Sequence, residues 1–185
     1  MTKAYALATA IGLTMTMSDA QATIAVDSLP DVSAIYAHTP QLVSAGLPTA
    51  EQFAVLKTVG VDAVINLIPT DSEFDKAHPD VDAIRANDLD YYHVAFDFAD
   101  PVNTMEHFIA VMQRLEATDQ DVLVHCALNI RASGIVYLYN AIKVGHAEPL
   151  DMSPWGDAAA VFKRYPEFTA FFDPIVAHYN IELAN

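Results

Sequence analysis

Cysteine is scarce in this chain, since Cys126 is the single thiol among 185 residues. One thiol excludes an internal disulfide and any zinc site that needs several cysteines. The seven histidines also lack the His-x-x-His and His-Glu-x-x-His spacings of helical metal sites. We therefore predict neither a structural metal nor a cofactor.

Positive charge is scarce as well. The chain has 9 Lys and Arg against 24 Asp and Glu, which gives a formal net charge of −15. This sign excludes a protein that coats nucleic acid or an anionic lipid surface, because phosphate groups would repel it. The 53% of apolar residues can nevertheless build a core, and the length fits one domain.

No apolar run reaches the roughly 20 residues that a membrane-spanning helix needs. The uncharged stretch Ala4–Met17 has 14 residues; it follows Lys3 and precedes Ala20-Gln21-Ala22, the small-x-small pattern that signal peptidase cleaves. We predict a secretory signal at 1–22 and one domain at 23–185, periplasmic or secreted and without a membrane attachment once mature. A membrane anchor and an ordinary N-terminal helix are the alternatives.

Strand-like and helix-like segments alternate along the domain. The apolar runs Val61–Ile68 and Val122–Val124 are typical of strands that are covered on both faces. Thr49-Ala50-Glu51-Gln52 has the form of a helix capping box. The alternation predicts an α/β fold with a mainly parallel central sheet flanked by helices. Ligands of such sheets bind beyond the carboxyl ends of the strands, and three loops follow predicted strands: Pro69–Glu73, Asp97–Pro101 and Cys126–Arg131.

The other predicted elements complete this alternation. Strands are expected at Ile35–His38, Leu42–Gly46 and Tyr91–Phe96, and helical turns within Asp71–Asn87. Further helices are expected from an Asn103 cap to about Thr118, from Arg131 or Ala132 to Val144, and within Pro154–Tyr165 and Pro166–Asn180.

The strongest chemical signal follows the strand Val122–Val124. There His125 and Cys126 precede a short loop, Arg131 and a helix. Such a turn aims backbone N–H groups and the positive end of a helix at one point, which favours a bound oxyanion and the thiolate form of a cysteine. The guanidinium can hold two oxygens of a phosphate or sulfur oxyanion. A buried inert thiol and a solvated arginine are the alternatives.

The run from His125 to Ser133 resembles the signature of the cysteine-dependent protein tyrosine and dual-specificity phosphatases. That signature is His-Cys followed by five residues, then Arg and then Ser or Thr. His125, Cys126 and Ser133 match its first, second and last positions. The arginine departs from it, because four residues separate Cys126 from Arg131, and Ala132 stands where the family keeps its arginine.

Two other regions carry the same resemblance. Leu42–Gln52 followed by Gly60–Leu67 is similar to the start of bacterial phosphatase-like domains related to the β-lactamase hydrolase-like group. Tyr92–Asp97, followed by Pro101, resembles the segment on which many such enzymes carry a general acid. The resemblance covers about half of the chain and implies a phosphatase-like arrangement of the α/β fold.

The resemblance implies hydrolysis of phosphomonoesters through a cysteinyl-phosphate intermediate, with phosphotyrosine as the expected substrate. Cys126 would attack phosphorus, Arg131 and the loop N–H groups would hold the equatorial oxygens, and Asp97 would protonate the leaving group. Asp100 is the alternative acid. The residues of the oxyanion loop are Ala127, Leu128, Asn129 and Ile130.

Further roles follow from the same resemblance. Ser133 would help the thiolate leave in the second step, and His125 would orient the loop. Asn129, where the family commonly has glycine, can adopt a left-handed backbone. The expected partner is a phosphorylated protein or a small phosphomonoester; nothing in the sequence indicates an oligomeric state.

Two alternative functions stay open. The four-residue loop between Cys126 and Arg131 has the length found in rhodanese-type sulfurtransferases, where the cysteine carries a persulfide. If Arg131 does not reach the anion, the loop would bind phosphate without hydrolysing it, as in a pseudophosphatase. The aromatic residues Tyr91, Tyr92, Phe96 and Phe98 belong either to the core or to the wall of a substrate pocket.

Overall fold

The structure, a computed structural model, describes residues 23–70, 78–146, 154–156 and 158–182. The predicted signal at 1–22 lies outside these residues. The end of the predicted site loop, 71–73, and the first predicted helical turns, up to residue 77, also lie outside them.

The described residues contain a five-stranded sheet. Its strands are β1 (Tyr36–Thr39), β2 (Leu42–Ala45), β3 (Ala63–Asn66), β4 (Asp90–His93) and β5 (Val122–His125). The spatial order is β1-β2-β5-β3-β4; all neighbours are parallel except β1, which pairs antiparallel with β2. The predicted mainly parallel sheet is therefore confirmed.

Helices cover both faces of this sheet. They are α1 (Ala50–Thr58), α2 (Val81–Ala86), α3 (Pro101–Glu116), α4 (Ile130–Val144), α5 (Ala158–Arg164) and α6 (Glu167–Tyr179). One apolar cluster joins α3, α4 and α6 to one face of the sheet, and a second joins α1 and α2 to the other. Every residue of β3 and β5 is buried, as expected for strands between two helical layers.

The start of α1 forms as its sequence predicts. The Thr49 hydroxyl accepts from the Gln52 N–H at 3.2 Å, and the Gln52 side chain accepts from the Thr49 N–H at 2.8 Å. The helix ends at Thr58, and Gly60 follows with φ of +108°, a backbone angle that L side chains rarely adopt.

Two predicted boundaries are wrong. The N-cap of α3 is Asp100, not Asn103: its carboxylate accepts from the Asn103 N–H, and Pro101 starts the helix with a φ fixed by its ring. The strand predicted to reach Phe96 ends at His93, because its neighbour β3 ends at Asn66. The chain still runs beside β3 for a few residues, since the Val94 N–H donates to the Asn66 carbonyl.

In the described part of the chain, none of the helices combines the length and the apolar character needed to cross a bilayer.

A buried carboxyl group lies at the amino-terminal edge of the sheet. Asp121, immediately before β5, is fully buried. Its N–H donates to the Asp62 carboxylate at 3.3 Å, and its carbonyl accepts from the Asp62 N–H at 2.8 Å. Burial, together with the neighbouring Asp62 charge, raises the pKa of Asp121 from 3.8 to about 6. Ionised Asp121 therefore destabilises the fold.

Replacing Asp121 by Asn is expected to stabilise the protein at neutral pH. The pKa of Asp121 is higher in the folded protein than in the unfolded chain. The stabilisation from its protonated carboxyl is therefore complete below about pH 3.8 and is lost as the pH rises through about 6. A neutral amide avoids that loss, so Asp121→Asn should raise the free energy of unfolding at pH 7.5 by about 1–3 kcal/mol. Urea unfolding at pH 7.5 and pH 4 measures it.

The gain in the free energy of unfolding from Asp121→Asn should shrink towards zero at pH 4. The control is Asp173→Asn, a change at an exposed residue, which should have no effect at either pH. An equal gain at both pH values would contradict the assignment to ionisation.

Candidate active site

The carboxyl ends of four strands lie side by side. The last residues of β2, β5, β3 and β4 are in register: Ala45 pairs with His125, and Asn66 pairs with both His125 and His93. The loops that follow these strands therefore meet at one edge of the sheet, as in other parallel α/β sheets. Two of the three predicted site loops, Asp97–Pro101 and Cys126–Arg131, are described completely.

Cys126 follows the last residue of the central strand β5. Its N–H donates to the Ala45 carbonyl of β2 at 3.3 Å, and its side chain is 1% exposed. The thiol is thus held at the base of the loop, between the sheet and the α3–α4 layer.

The Cys126 loop is supported by the segment between β2 and α1. The Leu47 N–H donates to the Ala127 carbonyl at 3.2 Å, and Gly46 forms an isolated antiparallel bridge with Leu128. A Cβ on Gly46 would lie 3.0 Å from the Ala127 carbonyl and 3.0 Å from Ser33. Glycine is needed here because the two chain segments approach so closely.

Asn129 turns the loop into helix α4. It has φ of 67° and ψ of 1°, the left-handed conformation that the sequence predicts, and it is fully buried. Its Nδ2 donates to the Ala34 carbonyl at 2.6 Å. Asparagine tolerates this backbone better than most residues, and the hydrogen bond to Ala34 compensates the burial of its Nδ2.

The first turn of α4 places Arg131 and Ala132 in different environments. Ala132 is fully buried in the larger apolar cluster, whereas Arg131 is half-buried. The guanidinium lies close enough to the His125 ring to lower its pKa. An arginine at 132 would have to place its charge inside the core. The positively charged side chain therefore belongs to residue 131, one position earlier than the arginine of the phosphatase signature.

His125 is neutral at physiological pH. Burial lowers its pKa to about 3, with further lowering from His93 and Arg131 that the adjacent Cys126 backbone only partly offsets. The ring packs edge-on against Phe53 of α1, with centroids 6.3 Å apart. The charged side chain near the loop is therefore Arg131, beside the α4 N-terminus, while His125 packs as a neutral ring.

Ser133 is buried behind the loop. Its hydroxyl lies 2.7 Å from the Asn129 carbonyl and 3.2 Å from the Ile130 carbonyl, to which it can donate. This arrangement fixes the first turn of α4 to the left-handed residue that precedes it. A hydrogen bond to a thiolate would need the hydroxyl to turn away from these carbonyls.

The loop after β4 carries both candidate acids at the surface. The Asp97 carboxylate accepts from the Ala99 N–H at 2.8 Å, and the Asp97 N–H donates to the Thr104 hydroxyl at 3.2 Å. Asp100 caps α3. Asp97 is therefore positioned by a local turn, whereas Asp100 already has a structural role at a helix end.

Three of the four aromatic residues near this loop serve mainly the fold. Phe96 is buried and stacks on Phe171 with centroids 3.9 Å apart; Tyr91 accepts a hydrogen bond from Asn66, and Tyr92 packs against the larger cluster. Phe98 is 43% exposed and directly follows Asp97. It is the member of this group that can offer an apolar face to a substrate.

Sequence reasoning missed Asn66 and His93 as site residues. The Asn66 Oδ1 accepts from the Ile68 N–H at 2.9 Å, and the His93 Nε2 lies 2.7 Å from the Ile68 carbonyl. Together they fix the start of the loop after β3. The available signal is a polar residue at the end of an apolar strand, where the core alone would favour another aliphatic side chain.

Among the residues that the structure describes, no three His, Cys, Asp or Glu side chains group closely enough to hold a metal ion.

The fold resembles solved phosphatase structures. A "Putative phosphatase (DUF442)" from Shewanella putrefaciens CN-32 is 36% identical, matches 83% of this chain and 98% of its own, and superposes with a TM-score of 0.67. TpbA of P. aeruginosa is 19% identical over 76% of this chain and 89% of its own, with a TM-score of 0.51. Tk-PTP in its active form is 12% identical over 79% and 95%, with a TM-score of 0.56.

The last two likenesses show the fold alone, because their sequence identity is low. No protein-family model matches the chain, and a search of curated proteins finds no match. The likeness to the Shewanella protein shows more than the fold, because more than a third of the aligned residues are identical over nearly the whole length of that protein. The chain therefore belongs to the DUF442 family of bacterial phosphatase-like proteins that includes the Shewanella protein, and it has the fold of the tyrosine-phosphatase-like proteins.

Proposed function

We propose that this protein is a cysteine-dependent phosphatase that hydrolyses phosphomonoesters through a cysteinyl-phosphate intermediate. The main support for the proposal is the position of Cys126 directly after central strand β5. A four-residue turn that begins with Cys126 leads from this strand to α4, and Arg131 lies in the first turn of that helix. The first-turn N–H groups of a helix have no intrahelical acceptor, so they are available to an anion. The family relationship supports the same chemistry.

In the proposed first step the Cys126 thiolate attacks phosphorus and the bond from phosphorus to the leaving oxygen breaks. Arg131 and the loop N–H groups bind the equatorial oxygens, and Asp97 gives its proton to the leaving oxygen. In the second step water attacks phosphorus, Asp97 takes back a proton, and the Cys126 thiolate departs with inorganic phosphate as the product. Ser133 assists that departure if its hydroxyl turns from the Asn129 carbonyl.

The proposed substrate is an aromatic phosphomonoester, with phosphotyrosine in a protein as the leading candidate. Phe98 beside the proposed acid and Leu128 in the loop are both large exposed apolar residues, 43% and 56% exposed. Apolar side chains next to an oxyanion site favour a leaving group with a ring over a small polar one. We further propose that the protein meets this substrate outside the cytoplasm, after removal of residues 1–22.

Replacing Cys126 by Ser is expected to abolish hydrolysis of p-nitrophenyl phosphate. A serine hydroxyl is far less nucleophilic than a thiolate, so kcat/KM should fall at least about 10³-fold. Release of p-nitrophenolate measures turnover, and circular dichroism checks that the fold is intact.

Two outcomes would move the protein to another class. Sulfur transfer from thiosulfate to cyanide, without phosphatase turnover, would assign it to the rhodanese-like sulfurtransferases. Phosphate binding without either activity would make it a phosphate-binding pseudophosphatase.

Asp97→Asn should impair hydrolysis in a way that depends on the leaving group. A poor leaving group such as phenol needs protonation, whereas p-nitrophenolate leaves readily without it. We expect kcat to fall about 10²-fold or more for phenyl phosphate and much less for p-nitrophenyl phosphate.

The matched control is Asp100→Asn, which keeps a side-chain oxygen at the N-cap of α3 but removes the acidic proton. It should change thermal stability little and leave the leaving-group dependence unchanged. If Asp100→Asn instead produced the selective loss on phenyl phosphate, Asp100 would be the general acid.

Salt should increase activity on acidic phosphopeptides. A formal charge of −15 repels an anionic substrate, and ions screen that repulsion beyond about 10 Å at 0.1 M salt. Raising NaCl from 10 to 150 mM should increase kcat/KM several-fold for an acidic phosphopeptide and decrease it for a basic one. If kcat/KM changed equally for the two peptides, or in the directions opposite to those expected, the long-range electrostatic explanation would be contradicted.

A further inference from the structure

The loop that carries the proposed general acid packs against helix α6. Phe96 and Phe98, the two neighbours of Asp97, are both aromatic, and the rings of both contact rings of this helix. Phe96 stacks on Phe171 with centroids 3.9 Å apart and an angle of 19° between the ring planes. The backbone of Asp97 therefore lies between two aromatic contacts with the same helix.

Phe98 contacts three rings although it lies at the surface. Its centroid is 5.0 Å from that of Phe96 in the same loop. The centroids of Phe168 and Phe171, both on α6, are 5.9 and 5.8 Å away. All three pairs meet edge to face, an arrangement that aromatic rings favour at these distances. The Phe98 ring is thus anchored on one side, while its exposed side stays open to a substrate.

Helix α6 offers these rings from a single face. Its buried residues follow the i, i+3, i+4, i+7 spacing of an amphipathic helix: Phe168, Phe171, Phe172 and Ile175. All of them belong to the larger apolar cluster, which also contains residues of the sheet and of α3 and α4. Phe168 is 4% exposed and Phe171 is 0% exposed, so neither ring offers a surface to a substrate.

Hydrogen bonds connect the proposed acid to the same anchored loop. The Asp97 N–H donates to the hydroxyl of Thr104, a buried residue of α3, at 3.2 Å. The Asp97 carboxylate accepts from the Ala99 N–H at 2.8 Å, and the Phe96 N–H donates to the Leu67 carbonyl at 3.2 Å. The turn that carries the carboxylate is therefore bonded to α3 and to the chain beyond β3, and it packs on α6.

We infer that Phe98 and Phe168 are positioning residues for the general acid, through which α6 sets the place of the Asp97 carboxyl group relative to the leaving oxygen. The inference rests on the proposed phosphatase reaction, in which Asp97 protonates that oxygen. A proton donor works only within hydrogen-bond distance of the atom that it protonates. Phe168 touches no reacting group and acts through the ring of Phe98.

The first test compares two esters in Phe168→Leu and Phe98→Leu. Leucine keeps each position apolar but removes the ring. The ratio of kcat for phenyl phosphate to kcat for p-nitrophenyl phosphate should fall roughly 10-fold in each variant, because only the poorer leaving group needs a well-placed acid. A smaller amount of folded protein would lower both kcat values equally and leave this ratio unchanged.

Two control variants keep the acid in place. Phe162→Leu removes a ring that packs on Phe172, with centroids 4.9 Å apart, in the same aromatic cluster. Phe98→Tyr keeps a ring at the anchor. Both should keep the ratio of kcat values close to that of the unaltered protein. A similar decrease in Phe162→Leu would assign the effect to general packing and overturn the inference.

The anchor is also distinguished from a wall of the substrate pocket. If Phe98 only contacted the substrate ring, Phe98→Leu would raise KM for both esters without changing the ratio of kcat values, and Phe168→Leu would change neither quantity. That result would overturn the inference.

The second test combines Phe168→Leu with Asp97→Asn. When the acid is absent, its misplacement has no consequence, so adding Phe168→Leu to Asp97→Asn should leave the ratio of kcat values unchanged. A further decrease as large as that of Phe168→Leu alone would overturn the inference.

Hydrogen exchange examines the anchor without turnover. In Phe168→Leu the amides of Asp97 and Ala99 should exchange several-fold faster, while those of Cys126 and Leu47, which are bonded at the nucleophile loop, should keep their rates. Unchanged exchange at Asp97 and Ala99 would overturn the inference.

The two proposals fail in different ways. An unaltered protein that hydrolyses neither ester would refute the proposed function, and the role of α6 in that reaction would fall with it. Normal hydrolysis by the unaltered protein, with the same ratio of kcat values in Phe168→Leu, would overturn only the positioning role of α6.

Discussion

The proposed chemistry depends on a short turn that is held by its neighbours. Only the residues from Cys126 to Asn129 connect the end of β5 to the start of α4. The close approach of Gly46 to Ala127 supports one side of the turn, and the left-handed Asn129, bonded to the Ala34 carbonyl, completes it. These contacts fix the backbone of the loop, which the proposed binding of an anion by its N–H groups requires.

The electrostatics of the site are opposite to those of the whole molecule. The chain carries a formal charge of −15, yet the Cys126 loop presents a helix N-terminus and the Arg131 guanidinium. Burial keeps His125 uncharged, so the ring adds no positive charge next to the loop. A helix N-terminus and a guanidinium favour an anion at this loop, whereas the net charge of the molecule disfavours one.

The two ends of the sheet have different chemistry. The carboxyl ends of the strands carry the thiol, the guanidinium and the exposed Asp97, which are groups for a reaction on an anion. The amino ends carry the buried Asp121, whose pKa is raised. This separation places the group that links stability to pH away from the residues of the proposed reaction.

The sequence by itself determined the alternation of strands and helices, the capping box at Thr49 and the Cys126 turn, because these depend on local patterns of a few neighbouring residues. It also predicted the left-handed Asn129. Only the tertiary structure decided that Ala132 is inside the core while Arg131 is half-buried, and that Asn66 and His93 fix the loop after β3. Those relationships join residues that are distant in the chain or differ only in helix rotation, and packing of the whole domain sets them.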